Sequence, residues 1–299
     1  VTGLAATPHI RTRTRARSAS AVALCVALCA LMLASTLAGC APDPDDAGLA
    51  GQPPEPVATI NSVDGPVWLG APPTAVAIDN ETLDEISRAV VPLRARGCGP
   101  VSNGTAFAVA SGLLIGAAHV IAGASETEID FPAGGSATAV TYPTEVVGYS
   151  ESRDLALLRT AAPVPPLGVD RGRLGAITAV LGYPAGASLE VSPARIEHYV
   201  YASGLWGDGT RRRVYVLAAD VRAGQSGGPL VDQQGSVVGV AFAAVPGLAD
   251  IGFALNRDEL MGFLVSSGVE ARIDYLGRTV VRAKPEELRE VPNGRCALR

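Results

Sequence analysis

Between residues 105 and 243 the chain is cut into short apolar stretches of about four to eight residues, each closed off by Gly, Pro, Asp or Ser, a spacing that suits strands. The stretches fall at 105–110, 113–115, 145–147, 155–159, 177–181, 194–201, 213–218, 229–231 and 237–243. Helix is predicted only at the edges: at 79–88, with Asn80 or Thr82 as cap and Leu83, Ile86 and Val90 on one face, and at 257–265. Regular short strands with so little helix specify an all-β barrel or sandwich. No repeat of about 20 to 50 residues recurs, which argues against a propeller or solenoid and leaves two dissimilar barrels open. A hydrophobic share of 48% is enough to fill such a core.

Ahead of the strands, residues 1–39 read as an export signal, with arginines at 11, 13, 15 and 17 before an uncharged apolar run over 21–38. The run ends Leu37-Ala38-Gly39-Cys40, which resembles a bacterial lipobox, so Cys40 is the expected lipidation site and lipid the expected tether to the membrane. The run also approaches the roughly 20 residues that span a bilayer, and a retained single-pass anchor is the alternative. Either way the arginines stay on the inner face, placing the rest on the outer face of the membrane or in the periplasmic or cell-wall space. Residues 40–80, with Pro42-Asp43-Pro44 and Pro53-Pro54-Glu55-Pro56, read as a semi-extended linker, and 81–299 as the folded domain.

Of five cysteines, Cys25 and Cys29 lie in the apolar run and Cys40 at its end, leaving Cys98 and Cys296 to the folded part, either bridged or as two thiols. A net charge of -5 with few lysines argues against a nucleic-acid-binding surface. The basic run Arg211-Arg212-Arg213 reads as the solvated end of a strand or loop. No cluster of histidines and cysteines marks a metal site, and no cofactor motif is present; calcium held by loop carboxylates stays open.

Three histidines occur, and His9 belongs to the export segment, so histidine chemistry in the folded part falls to His119 or His198. His119 ends an apolar strand in Leu114-Ile115-Gly116-Ala117-Ala118-His119. Ser226 lies in Gly224-Gln225-Ser226-Gly227-Gly228-Pro229-Leu230, where glycines permit sharp turning, inward amides and close approach of a carbonyl; a plain glycine-rich hairpin is the alternative. No lysine follows those glycines as a phosphate-binding loop requires. Asp154 opens the strand Asp154-Leu155-Ala156-Leu157-Leu158, and a carboxylate accepting from a histidine ring fixes its tautomer and stabilises the imidazolium.

The Ala-Ala-His, Asp-Leu-Ala-Leu-Leu and Gly-x-Ser-Gly-Gly-Pro-Leu segments together resemble the three signature motifs of trypsin-like serine proteases, in the order His, Asp, Ser. Over roughly 98–296 the likeness is greatest to bacterial periplasmic proteases, above all the protease domain of the membrane-anchored acid-resistance serine proteases of mycobacteria. The resemblance implies two six-stranded antiparallel β-barrels of chymotrypsin type with a short N-terminal and a C-terminal helix. It implies catalysis of peptide hydrolysis by His119, Asp154 and Ser226, an oxyanion hole from the amides of Gly224 and Ser226, and a Cys98–Cys296 disulfide. The substrate pocket it implies is walled by Asp220, Val221, Val240, Ala241 and Phe242, apolar or small apart from Asp220. Asp220 either points into that pocket, favouring basic substrates, or terminates the strand before it; the second is the expectation. Two departures stand out. Gln225 replaces the usual Asp before the serine, which argues against activation by ion pairing with a new N-terminus, and the helix and short tail after the second barrel leave no room for a PDZ-type module. A degenerate protease-fold lipoprotein that binds peptide or cell-wall partners is the competing reading.

Overall fold

The computed structural model describes residues 59–61, 70–97, 99–132, 139–203, 212–244, 250–275 and 279–294. Cys40, Cys98 and Cys296 lie outside the described residues, and with them the proposed lipid site and disulfide. Within the segment expected to be linker, β1 (Thr59–Asn61) adds an edge strand, with Ile60 opposite Ala202.

The first barrel is built by β2 (Val90–Gly97), β3 (Gly99–Ala110), β4 (Leu113–Gly116), β5 (Glu126–Pro132), β6 (Ala139–Ser150) and β7 (Leu155–Thr160), in the closed order β2-β3-β4-β7-β6-β5. The second uses β8 (Ile177–Gly182), β9 (Glu190–Ser203), β10 (Arg212–Ala218), β11 (Pro229–Val231), β12 (Val237–Ala244) and β13 (Ile251–Asn256); β8 returns to pair with β9 and closes the ring. Both barrels are antiparallel throughout, the architecture that the motif resemblance implies and one of those that the strand spacing leaves open. Closure leaves no unpaired sheet edge inside either barrel. Val91, Leu93, Leu114 and Leu158 fill the first, and Val180, Ile196, Tyr215 and Leu217 the second. A further apolar cluster joins Phe107, Ile115 and Leu157 to Leu181, Val231 and Leu255, so one continuous core runs across the seam.

The helices are α1 (Asn80–Ser87), the single turn α2 (Ala118–Ile121) and α3 (Arg257–Ser266), followed by the hairpin β14 (Glu270–Ile273) and β15 (Thr279–Arg282). The cap of α1 is Asp79 rather than Asn80 or Thr82: its carboxylate accepts from the Thr82 amide at 2.9 Å and the Thr82 hydroxyl at 2.8 Å, which holds its pKa below the usual carboxylate range. The arginine run is also not uniformly solvated. Arg212 is buried at 1% exposure, whereas Arg213 is exposed, 3.5 Å from Asp258 and over the ring of Tyr201.

β2 and β5 carry too many charges to stand out as apolar stretches, and those charges face each other. Arg94 donates to both carboxylate oxygens of Asp130 at 2.7 and 2.8 Å and to Glu128 at 3.0 Å, while Arg96 reaches Glu128 at 2.9 Å. The two strands pair Arg94 with Glu128, so the fork spans the register that closes the barrel. Replacing Arg94 with Met is predicted to lower unfolding free energy by about 1 kcal/mol, most of it lost at high salt; an unchanged urea midpoint would contradict this role.

Candidate active site

β4 and β7 are neighbours in the first barrel, with Gly116 opposite Ala156. That register puts the residues just after β4 and just before β7 at one rim. His119 enters there on α2 and Asp154 on a tight turn closed by its own amide to the Glu151 carbonyl at 3.1 Å. Asp154 has a left-handed backbone, φ 53°, which Asp tolerates better than most residues and which aims its side chain back at α2.

The carboxylate of Asp154, 2% exposed, accepts from the His119 amide at 2.8 Å and lies 2.7 Å from Nδ1 of the ring. The Ala118 amide donates to the Asp154 carbonyl at 3.2 Å. Backbone and side chain of Asp154 thus clasp the same helical turn. The His119 side chain is half-exposed, and with a proton on Nδ1 directed at the carboxylate the acceptor nitrogen of an uncharged ring is Nε2.

Ser226 arrives from the second barrel on the loop between β10 and β11. The loop presses against the first barrel so closely that a Cβ on Gly227 would collide with the Thr105 carbonyl and stand 2.6 Å from the Ala117 amide; φ of Gly227 is 86°. The Thr105 amide donates to the Ser226 carbonyl at 2.9 Å, and the Gly227 amide to the Ala241 carbonyl at 2.7 Å. These contacts seat the serine beside the turn that carries His119. In the present rotamer Ser226 Oγ donates to the Phe242 carbonyl at 3.3 Å, a long bond that a χ1 rotation releases.

Two peptide groups of this loop have anchored carbonyls. That of Ala223 accepts from the Ala185 amide at 3.0 Å, and that of Gln225 from the Gly228 amide at 2.9 Å. Because a trans peptide directs N–H opposite to C=O, the amides of Gly224 and Ser226 point away from those anchors. Gly224 has φ 98°, and a Cβ there would lie 2.5 Å from both the Ala185 amide nitrogen and the Tyr183 carbonyl.

Gln225 is fully buried, yet its amide group is paired: Oε1 accepts from the Arg222 amide at 2.8 Å and Nε2 donates to Ser192 Oγ at 3.2 Å. A neutral brace therefore stands where the sequence lacks the usual aspartate. The turn at Ala185 and the Ser192 hydroxyl belong to no sequence motif; only long-range folding brings them here.

The expected pocket residues Val221, Val240, Ala241 and Phe242 are all buried, Phe242 stacking on Phe253 with centroids 6.3 Å apart. Asp220 is exposed and bound to Arg222 at 3.0 Å, and Arg222 also reaches Glu190 at 3.0 Å. Among the described residues no group of three or more His, Cys, Asp or Glu could hold a metal ion, and no helix is long and apolar enough to cross a membrane.

A family profile for the trypsin-like peptidase domain matches residues 104–240. The serine protease Rv3671c of Mycobacterium tuberculosis is 36% identical over 212 residues, covering 68% of this chain and 52% of the relative, so the chain spans about half the length of that curated protein. The crystal structure of the Rv3671c protease in its active form superposes with a TM-score of 0.64 at 30% identity, covering 78% of this chain and 96% of that one. Its inactive form gives 0.58 at 33% identity, covering 68% and 100%. The strand order, the rim shared by both barrels and these relatives lead to one assignment: the chain belongs to the trypsin-like serine peptidase family.

Proposed function

We propose that the chain is an extracytoplasmic serine endopeptidase in which Ser226 is the nucleophile, His119 its general base and Asp154 the group that orients and stabilises the ring. The observation that carries this reading is the clasp of buried Asp154 on His119 directly beside the Ser226 loop. Ser226 Oγ turns from the Phe242 carbonyl and attacks a peptide carbonyl carbon while its proton passes to His119 Nε2. The resulting oxyanion is received by the amides of Gly224 and Ser226, whose peptides are already held by their anchored carbonyls. The imidazolium gives its proton to the leaving amine and the C–N bond breaks, leaving an acyl group on Ser226. Water then attacks the ester as His119 takes a proton from it, and the proton returns to Ser226 as the acid departs.

For specificity, Arg222 already occupies the Asp220 carboxylate, and the other proposed walls are apolar. That favours an uncharged or apolar residue before the scissile bond. Export and a lipid on Cys40 complete the proposal, supported by the four arginines, the apolar run and Leu37-Ala38-Gly39-Cys40.

In a peptide library the protein is expected to cleave after uncharged residues, with kcat reduced on the order of 10⁶-fold by Ser226→Ala and about 10⁴-fold by Asp154→Asn. Cleavage confined to Arg or Lys before the bond would refute the pocket assignment, and undiminished turnover in Ser226→Ala would refute the nucleophile. For the tether, intact cells fed an alkyne fatty acid should label the wild-type chain and not Cys40→Ser; equal labelling of both would remove the lipid from Cys40.

A further inference from the structure

Thr105 sits on β3 of the first barrel, fully buried, opposite Pro92. Its hydroxyl donates to the carbonyl of Gly224 at 2.7 Å and accepts from the amide of Tyr183 at 2.9 Å. Gly224 is 119 positions away in sequence and belongs to the second barrel. The bond therefore crosses the seam to the residue whose amide is assigned to the oxyanion hole.

Three further contacts explain why a hydroxyl is needed there. The peptide joining Gly224 and Gln225 is held at its other end by the Gln225 amide donating to the Arg222 carbonyl at 3.0 Å. The preceding peptide is held through the Ala223 carbonyl by Ala185, and Ala185 adjoins the Tyr183-Pro184 segment that Thr105 also binds. The backbone of Thr105 supports the same loop through its amide to the Ser226 carbonyl at 2.9 Å. A glycine at φ 98° has other backbone states within easy reach, so its orientation must come from its bonds. Without the Thr105 hydroxyl, the buried Gly224 carbonyl and the part-buried Tyr183 amide lose their partner, and rotating the Gly224–Gln225 peptide is the nearest way for the carbonyl to find another.

We infer that Thr105 is a positioning residue: its hydroxyl, delivered from the first barrel, fixes the Gly224–Gln225 peptide, which lies between the two peptides that carry the oxyanion amides, so that both amides are set before substrate binds. This rests on the proposed role of Gly224, so the test carries one measurement that needs no turnover. Wild type, Thr105→Val and Thr105→Ser are compared for kcat, KM, affinity for a peptide aldehyde whose adduct places an oxyanion in the hole, and hydrogen exchange of 223–226.

Thr105→Val should lower kcat by about 10- to 100-fold, less than the roughly 10²- to 10³-fold of an oxyanion donor removed outright, with KM little changed, as for an interaction that acts in the transition state. Aldehyde affinity should fall in parallel, and exchange of 223–226 should quicken by about tenfold or more while exchange in β7 is unchanged. Thr105→Ser, which keeps the hydroxyl, should recover most of each loss. If the valine variant does not fold, Thr105→Ala takes its place. A folded variant without the hydroxyl that retains wild-type kcat and wild-type exchange at 223–226 overturns the inference. If wild type itself neither cleaves peptide nor binds aldehyde, the proposed enzyme reading fails, and the exchange comparison alone still decides whether Thr105 holds the loop.

Discussion

The structure turns on the contact between the serine loop and the first barrel. Gly227 approaches the Thr105 carbonyl and the Ala117 amide too closely for any side chain, and the Ser226 carbonyl accepts from the Thr105 amide. Each barrel alone carries half of the proposed chemistry: β4 and β7 bring His119 and Asp154, and the loop after β10 brings Ser226. Their use together depends on how closely the second barrel seats against β3. The shared core of Phe107, Ile115 and Leu157 with Leu181, Val231 and Leu255 holds that seat over a larger area. Apolar burial supplies most of the attraction there, and the backbone contacts at Thr105 and Gly227 set the register.

Within the first barrel the demanding element is a buried carboxylate. An ionised Asp at 2% exposure is costly unless its oxygens are hydrogen-bonded. Asp154 meets that condition with one backbone amide and one ring nitrogen, both from His119. The bonds that lower the cost of burying the charge are therefore the same ones that orient the imidazole. In the second barrel the same economy appears in neutral form: Gln225 is buried and satisfied by Arg222 and Ser192, which stiffens the serine loop without an ion pair from a chain terminus.

Much of the candidate site is legible in the sequence because its proposed central residues sit in short contiguous motifs. His119 ends an apolar strand, Asp154 opens another, and Ser226 is framed by glycines whose positive φ values at 224 and 227 are conformations that favour glycine. Strands with clean apolar runs were equally plain. β2 and β5 were not, because Arg94, Arg96, Glu128 and Asp130 interrupt their patterns and become intelligible only as cross-strand partners. Asp79 caps α1 in place of the expected Asn80 or Thr82, since all three are competent caps and only geometry selects among them. Nothing local distinguishes Thr105, Ala185 and Ser192 in the sequence as supports of the candidate site. Their importance lies in contacts with Gly224, Ala223 and Gln225 far along the chain. Asp220 was ambiguous by position, and its pairing with Arg222 is a fact of packing.

The central claim is that this arrangement activates Ser226 through His119. Mass spectrometry of the purified protein after exposure to a fluorophosphonate tests it most directly, with His119→Ala measured alongside. The account predicts a single adduct mapping to Ser226 in the wild type and absent from the variant. An adduct on another residue, an equal adduct without His119, or no adduct on the correctly folded wild type would contradict it.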